Sequence, residues 1–349
     1  MSDVTRRRYL VGAGAIGVAG LAGCGGNGGD GTSSSSQTST TTGSSGDGMT
    51  SMRIVLPEGT IHYPMYEAAT DQGFFDEQGI DMTVDYSPFG AQVRSVSSGE
   101  VDATMVSMMP YIGNYLKGED LVTFGWNGCL QCINGLYTRA SSDIKSIEDL
   151  KGKRIGVWSW GSSTVQSYQA VVAEESGLRL RKDFETTTAA PPALLGLLKN
   201  EEVDGVIDVS GLTITMQAQP DTYRRLSQLN QMWKDRTGHT LPLTSWFSHR
   251  DWYENNTDVA AGLLRASTNA TEYWRDNTQS ILEEYGETAS VDTQAKIDVV
   301  DEWANDGQVF HADSGSDYVD ATWEFVNLMS DYDFIDSAPA LDDIYQNPL

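Results

Sequence analysis

The sequence predicts an α/β protein of two lobes, each built on a mainly parallel sheet, with a helical C-terminal tail. Three observations carry that expectation. Short apolar runs alternate with helix-length segments over residues 53–209, as strands joined by covering helices do. A chain of 349 residues is long enough to bury two cores. The stretch 144–164 leads into an apolar strand from Arg154 to Trp158, then Trp160, then the loop Gly161-Ser162-Ser163-Thr164 opening a helix. Such a loop leaves helix N–H groups aimed at one spot, and ligands of open α/β sheets bind outside the carboxyl ends of the strands.

Charge narrows the function classes. Asp and Glu outnumber Lys and Arg 49 to 23, a formal charge of −26. That field repels nucleic acid and anionic lipid, so neither is expected as a partner. The acids are scattered through helices and turns, as at Asp292, Asp298, Asp301 and Glu302. With few lysines, this suggests a halophilic surface kept soluble by charge that salt screens. An ordinary acidic surface is the plainer alternative.

Residues 1–24 read as a targeting segment. Arg6, Arg7 and Arg8 precede an apolar run, residues 11–22, too short to span a bilayer comfortably. The run resembles a twin-arginine export signal. Leu21-Ala22-Gly23-Cys24 resembles a lipobox, which implies a lipidated Cys24. Gly12, Gly14 and Gly17 fit G-x-G-x-x-G, but no strand precedes them, so no dinucleotide site is expected. Residues 25–51, rich in Gly, Ser and Thr, read as a disordered tether; two dozen such residues span about 30 Å.

The fold is expected from Met52 onward. Strands are predicted at 53–56, 81–86, 101–106 and 121–124, with helices from Tyr63 to Gln72, at 91–98 and at 111–116. Residues 133–138 read as a crossing into the second lobe. There, strands at 154–158, 185–188 and 205–209 alternate with helices at 164–176 and 192–199. Residues 241–249 read as the return crossing, and helices at 259–277, 280–285, 292–305 and 316–328 form a tail on the first lobe. The lobes are thus 52–138 plus 246–349, and 139–245, with hinge candidates at 136–139 and 241–248.

Four blocks then coincide. They are Gly73-Phe74-Phe75 with Gln78-Gly79-Ile80, Ser98-Gly99-Glu100-Val101-Asp102-Ala103, Ile147-Glu148-Asp149-Leu150-Lys151-Gly152-Lys153-Arg154-Ile155-Gly156, and Glu201-Glu202-Val203-Asp204-Gly205. Together, over about residues 53–260, they resemble the ABC-importer substrate-binding proteins for sulfonate, nitrate and thiamine precursors. The resemblance implies a type II-like periplasmic-binding-protein fold, a small-molecule solute held between closing lobes, ABC permease partners and a monomer. It implies no enzyme activity, no cofactor and no metal. One related group makes a thiamine pyrimidine on this fold, but with a Cys-rich motif and without an export signal.

The loop Gly161, Ser162, Ser163 and Thr164 is the leading ligand candidate, holding a polar or anionic group; a plain Ser N-cap is the alternative. Trp158, Trp160 and Trp126 sit at strand ends, where rings stack on a heteroaromatic or cationic ligand, or else simply fill the core. Further candidates follow strands: Pro57 to His62, then Ser107, Met108 and Met109, then Asn127, then Asp208, Ser210 and Gly211, with Trp246 on the return crossing. Asp208 would accept from a ligand amine or cap a helix, and His62 reads first as an ordinary turn residue and second as a ligand contact. Cys129 and Cys132 read as a short-loop disulfide, as free thiols or, least well, as part of a metal site. An exported enzyme or thiol-redox protein using that pair is the alternative function. Of the four histidines at 62, 239, 249 and 311, none falls in a metalloprotease motif, and no nucleophile elbow or phosphate loop is present. Asn255 and Asn269 head glycosylation sequons.

Overall fold

The computed structural model describes residues 48–88, 90–126, 134–207, 210–306, 309–310 and 316–349. Strand β1 (Thr50–Pro57) is followed by α1 (His62–Asp71), β2 (Ile80–Ser87), α2 (Gln92–Ser97), β3 (Ala103–Ser107), α3 (Met108–Tyr115) and β4 (Leu121–Thr123). Next come β5 (Gly135–Arg139), β6 (Arg154–Val157), α4 (Ser163–Ser176), α5 (Leu180–Asp183), β7 (Glu185–Thr188), α6 (Pro191–Lys199) and β8 (Gly205–Ile207). Then follow α7 (Ser210–Gln217), β9 (Tyr223–Gln228), α8 (Leu229–Thr237), β10 (Thr244–His249) and α9 (Arg250–Asn255). The chain closes with α10 (Thr257–Tyr285), α11 (Gln294–Asn305), α12 (Ser316–Asp331) and α13 (Leu341–Ile344).

Two five-stranded sheets result, in the orders β2-β1-β3-β10-β4 and β7-β6-β8-β5-β9. Three strands of each are parallel, and the fourth, β10 or β5, runs antiparallel to both its neighbours. The two crossings read from sequence are therefore strands. Residues of the 133–138 crossing pair within the second sheet, and those of 241–249 within the first, so the hinge candidates lie largely inside ladders. An apolar crossing left unpaired would bury free N–H and C=O groups; insertion between two strands satisfies them. The second sheet accordingly begins at Gly135 rather than at residue 139. Strand β9 gave no sequence signal because its Tyr-Arg-Arg-Leu-Ser-Gln run breaks period-two patterning, as charged edge strands do.

The twin Glu-Val-Asp blocks have a structural role. Asp102 accepts from the Arg53 N–H at 2.7 Å, and Asp204 accepts from the Arg154 N–H at 3.1 Å. Each aspartate N–H also donates back to the same residue's carbonyl at 2.8 Å. Each carboxylate thus fastens its lobe's first parallel strand, at Arg53 within β1 and at Arg154 at the start of β6. The copies differ in charge partner. The Arg154 guanidinium grips Asp204, whereas that of Arg53 turns to Asp85. Partial burial pushes the Asp204 carboxyl up, but the hydrogen bonds and charge of Arg154 outweigh it and hold it below the usual range. Burial raises Asp102, and Arg53 offsets that only in part. The preceding turn needs a left-handed residue, which is Gly99 (φ 71°) in the first copy and Glu201 (φ 61°) in the second.

The tail divides. Helix α10 packs Leu263, Ala266, Ala270 and Trp274 against Tyr66, Phe75 and Ile80 of the first lobe. It bends at Asn277 (φ −132°), whose amide donates to the Tyr273 carbonyl at 2.9 Å, where the sequence suggested two helices. Helix α12, expected on the first lobe, instead joins a cluster with Val165, Tyr168 and Trp233 of the second; Phe325 meets the Trp233 ring edge-on at 5.5 Å. Tyr345 then returns to β4, bridging Thr123 and stacking on Trp126 at 6.0 Å. One apolar cluster thereby runs from Val55 and Val106 of the first sheet to Ile155 and Val157 of the second.

Asp204 depressed below its unfolded value stabilises at neutral pH, and that contribution is lost as pH falls through its folded pKa; Asp102, raised, makes no such contribution. Asp204→Asn is therefore expected to cost about 1–2 kcal/mol in urea unfolding at pH 7, and Asp102→Asn less than about 1 kcal/mol. Glu201→Gly, which relieves the left-handed backbone, should raise the unfolding free energy by about 0.5–1 kcal/mol in the same measurement.

Candidate functional site

A cavity of about 80 Å³ lies beyond the carboxyl ends of β1 and β3 in the first sheet. On this measure it would take several waters or a small solute. Pro57 ends β1, and the Thr60 hydroxyl donates back to the Pro57 carbonyl at 3.0 Å, closing a tight turn into α1. His62 is the first residue of that helix and lines the cavity. On the opposite wall, the Gln92 amide donates to the Ser87 and Pro88 carbonyls at 2.8 and 3.1 Å and accepts from the Gly90 N–H at 3.0 Å. That one side chain shapes the loop between β2 and α2. Val93, Val106, Pro110 and Leu243 supply apolar walls. Ser107 and Thr244, register partners across β3 and β10, complete the lining.

The polar chemistry can be read from donors and acceptors. His62 Nδ1 lies 3.0 Å from Thr60 Oγ1. The one arrangement that satisfies both contacts has the Thr60 hydroxyl donate to Pro57 and His62 Nδ1 donate to Thr60. In it Nε2 is a bare acceptor, buried and without a hydrogen-bond partner among the described residues; the Thr244 hydroxyl, able both to donate and to accept, is likewise buried and unpartnered among them. Burial pushes His62 down to about 4, which keeps it neutral at physiological pH. Phe310 packs its ring edgewise at 5.4 Å. Among the described residues, no charged side chain lines the cavity. An unpaired buried acceptor costs about 1–3 kcal/mol, a cost that a donor-bearing ligand removes.

Of the residues singled out from sequence, the cavity brings together Pro57, Thr60, Ile61 and His62, from the candidate stretch after β1, and Ser107. Gln92 and Thr244 were missed, since both approach only through tertiary packing. The second-lobe loop does not line this cavity. Ser162 caps α4 by accepting from the Val165 N–H at 3.1 Å, so its side chain serves its own helix. Ser163 and Thr164 are buried behind it, and Gly161 donates to Ser159 Oγ at 3.2 Å. Trp158 is half-buried between two apolar clusters, and Trp160 lies half-buried beneath Arg181. Trp126 and Trp246 are fully buried core rings, Trp246 edge-on to Tyr66 at 5.9 Å, and Met108 and Met109 are buried below the start of α3. Ser210 opens α7. Asn127, Asp208, Cys24, Cys129 and Cys132 lie outside the described residues. Asn255 is exposed at the end of α9, whereas Asn269 is half-buried inside α10 beside the buried Thr271.

Among the described residues, no group of His, Cys, Asp and Glu could hold a metal ion, and no helix is long and apolar enough to cross a membrane.

Comparison with known proteins places this geometry. Residues 60–281 match the family described as NMT1/THI5 like. Among solved structures, the alkanesulfonate-binding protein SsuA from Xanthomonas axonopodis pv. citri, bound to MOPS, superposes with a TM-score of 0.67 at 14% identity, covering 85% of this chain and 98% of that one. The periplasmic aliphatic sulphonate binding protein SsuA from Escherichia coli gives 0.69 at 16%, covering 85% and 92%. The periplasmic nitrate-binding protein NrtA from Synechocystis gives 0.61 at 15%, covering 85% and 86%. At such identities the likeness is one of fold. A curated relative, the 4-amino-5-hydroxymethyl-2-methylpyrimidine phosphate synthase of Schizosaccharomyces pombe, is 28% identical over 96 residues, 27% of each chain. The two mixed sheets, the paired crossings and the matched span together make this chain a member of the NMT1/THI5-like family with the periplasmic-binding-protein fold.

Proposed function

We propose that this chain is an extracytoplasmic solute-binding protein of an ABC importer. Exported by its twin-arginine signal and anchored through a lipidated Cys24, it captures a small solute as a monomer and presents it to permease subunits. It carries out no chemistry; binding energy goes into the closed form that the permease recognises. The observation that carries this reading is the cavity beyond β1 and β3, in which two buried polar atoms, His62 Nε2 and Thr244 Oγ1, stand without partners in an apolar lining.

That lining favours one of the three solute classes. A neutral imidazole acceptor repels the oxygens of nitrate or sulfonate, and among the described residues the lining offers them only the Thr244 hydroxyl and no cation. A ring bearing N–H or O–H donors suits it, which supports a pyrimidine of the thiamine-precursor type. The partial match to a pyrimidine phosphate synthase points the same way.

A thermal-shift screen of the exported domain in high salt tests this. Ligand at about 100 times its Kd should add about 2.7 kcal/mol of stability. An aminopyrimidine should stabilise the protein, and Thr244→Val or His62→Phe should weaken its binding about tenfold. Stabilisation by nitrate or alkanesulfonates alone would sink the solute class. Turnover of a bound compound, or thiol exchange at Cys129 and Cys132, would sink the binding-protein reading.

His62 also sets a pH dependence. Its folded pKa of about 4 lies below the ordinary 6.5, so the unfolded chain binds the extra proton first. The neutral imidazole contributes fully above pH 6.5, and its contribution fades as pH falls towards 4. Between pH 7 and 4 the parent protein should lose up to about 3 kcal/mol more stability than His62→Gln, measured by urea unfolding.

A further inference from the structure

A second, larger pocket of about 500 Å³ opens on the second lobe and shares no residue with the first-sheet cavity. Its walls are Trp160 with Gln166 and Gln169 of α4, the basic run Arg179, Arg181 and Lys182 around α5, and the segment Tyr332-Asp333-Phe334 that follows α12.

Its local charge is opposite in sign to the net charge of −26. Arg53, Arg139, Arg154, Arg236, Arg250 and Lys296 each sit within 4.0 Å of a carboxylate, while cations scattered elsewhere, such as Arg94, Lys117 and Arg275, form no such pair among the described residues. Arg179, Arg181 and Lys182 form no ion pair among the described residues. The Arg179 and Arg181 guanidiniums lie on aromatic faces. Arg181 stands 4.1 Å above the Trp160 ring, and Arg179 stands 5.0 Å from Tyr332 and 6.0 Å from Phe334. A guanidinium stacked on a ring turns its N–H edge sideways, a fork matched to a planar oxyanion; Arg179 spends one N–H on a long contact, 3.5 Å, to the Tyr332 carbonyl.

The nearby acids are engaged elsewhere. Asp183 accepts from the Arg179 backbone N–H at 2.7 Å. Glu174 accepts from the Tyr332 hydroxyl at 2.6 Å and also pairs with Arg236, which fixes the Tyr332 ring as a wall. Tyr332 and Phe334 stack at 6.2 Å and 14°. Asp333, the one carboxylate among the described lining residues, holds a left-handed backbone (φ 59°) that caps α12: its N–H donates to the Ser330 carbonyl at 3.0 Å, and the Phe334 N–H to the Met329 carbonyl at 2.8 Å. Three cations against one carboxylate, with three aromatic rings and two amides, make a site for an anion with a flat apolar body.

We propose that this pocket is a second binding site, independent of the solute cavity, that takes a small aromatic oxyanion such as a carboxylate or sulfonate. The anionic group engages the edges of Arg179 and Arg181, and the ring lies along Trp160 and Phe334.

Isothermal titration with benzoate, benzenesulfonate and inorganic sulfate tests it at low and high sodium chloride. The aromatic anions should bind saturably and more tightly than sulfate, with affinity falling as salt rises. Arg181→Gln and Arg179→Gln should each weaken them about tenfold, as expected for loss of a charged hydrogen bond. Both are surface changes, and unaltered melting curves would show that the fold is intact. Trp160→Leu should erase the preference for aromatic anions over sulfate. Thr244→Val should leave all three affinities unchanged. Equal binding in the parent and both arginine variants overturns the proposal, as does the absence of saturable binding. Loss of binding in Thr244→Val instead would put the anion in the first-sheet cavity, overturning this site together with the solute class assigned above.

Discussion

The chain passes twice between its two sheets, and each passage has to satisfy its own backbone polar groups. That constraint shapes the molecule. The outgoing segment becomes the fourth strand of the sheet it enters, between β8 and β9, and the returning segment becomes the fourth strand of the other, between β3 and β4. Both sheets consequently share one strand order, three parallel strands followed by an antiparallel one. The return strand also carries Thr244 to the side of Ser107, so the same pairing that satisfies the crossing finishes the wall of the cavity.

Polarity divides the two ends of each sheet. At the amino end, an aspartate from the Glu-Val-Asp block bonds to the backbone of the first parallel strand. At the carboxyl end the strands run out into loops whose side chains are spoken for locally: Thr60 by Pro57, Gln92 by its own loop, Ser162 by α4. Against that background, His62 Nε2 and Thr244 Oγ1 are two buried atoms without a partner among the described residues that line one cavity together; Ser87 Oγ and Ser163 Oγ are unpartnered too, but outside it. Among the described residues, the cavity lining is uncharged while three cations without an ion pair gather in the pocket on the second lobe.

Much of the fold was legible in the sequence because periodicity and turn chemistry are local. The strand at 185–188 follows from its β-branched threonines, and the helices from 163 and 191 from Ser and Pro at their starts. The bend at Asn277 was visible as a break between two helical runs. What failed was any inference that needed a neighbour. The crossings read as bare linkers because only their partners reveal them as strands. Helix α12 read as part of a first-lobe tail, yet Phe325 finds its place on Trp233, a residue 92 positions earlier in a helix the sequence did not announce. Trp126 and Trp246, plausible as ligand rings at strand ends, are core because Tyr345 and Tyr66 come from elsewhere in the chain to cover them.

By itself the sequence determined the α/β class, the two-lobed arrangement and its twin blocks, and the position of His62 and Ser107 just beyond strand ends, since all of these rest on spacing within about twenty residues. The tertiary structure alone decided that the Glu-Val-Asp aspartates fasten strands, and that Ser162 serves its own helix. It also decided that a histidine otherwise free to titrate is neutral, with one nitrogen left as an acceptor. Those outcomes depend on burial and on which donor reaches which acceptor, and both are set by contacts between residues far apart in the chain.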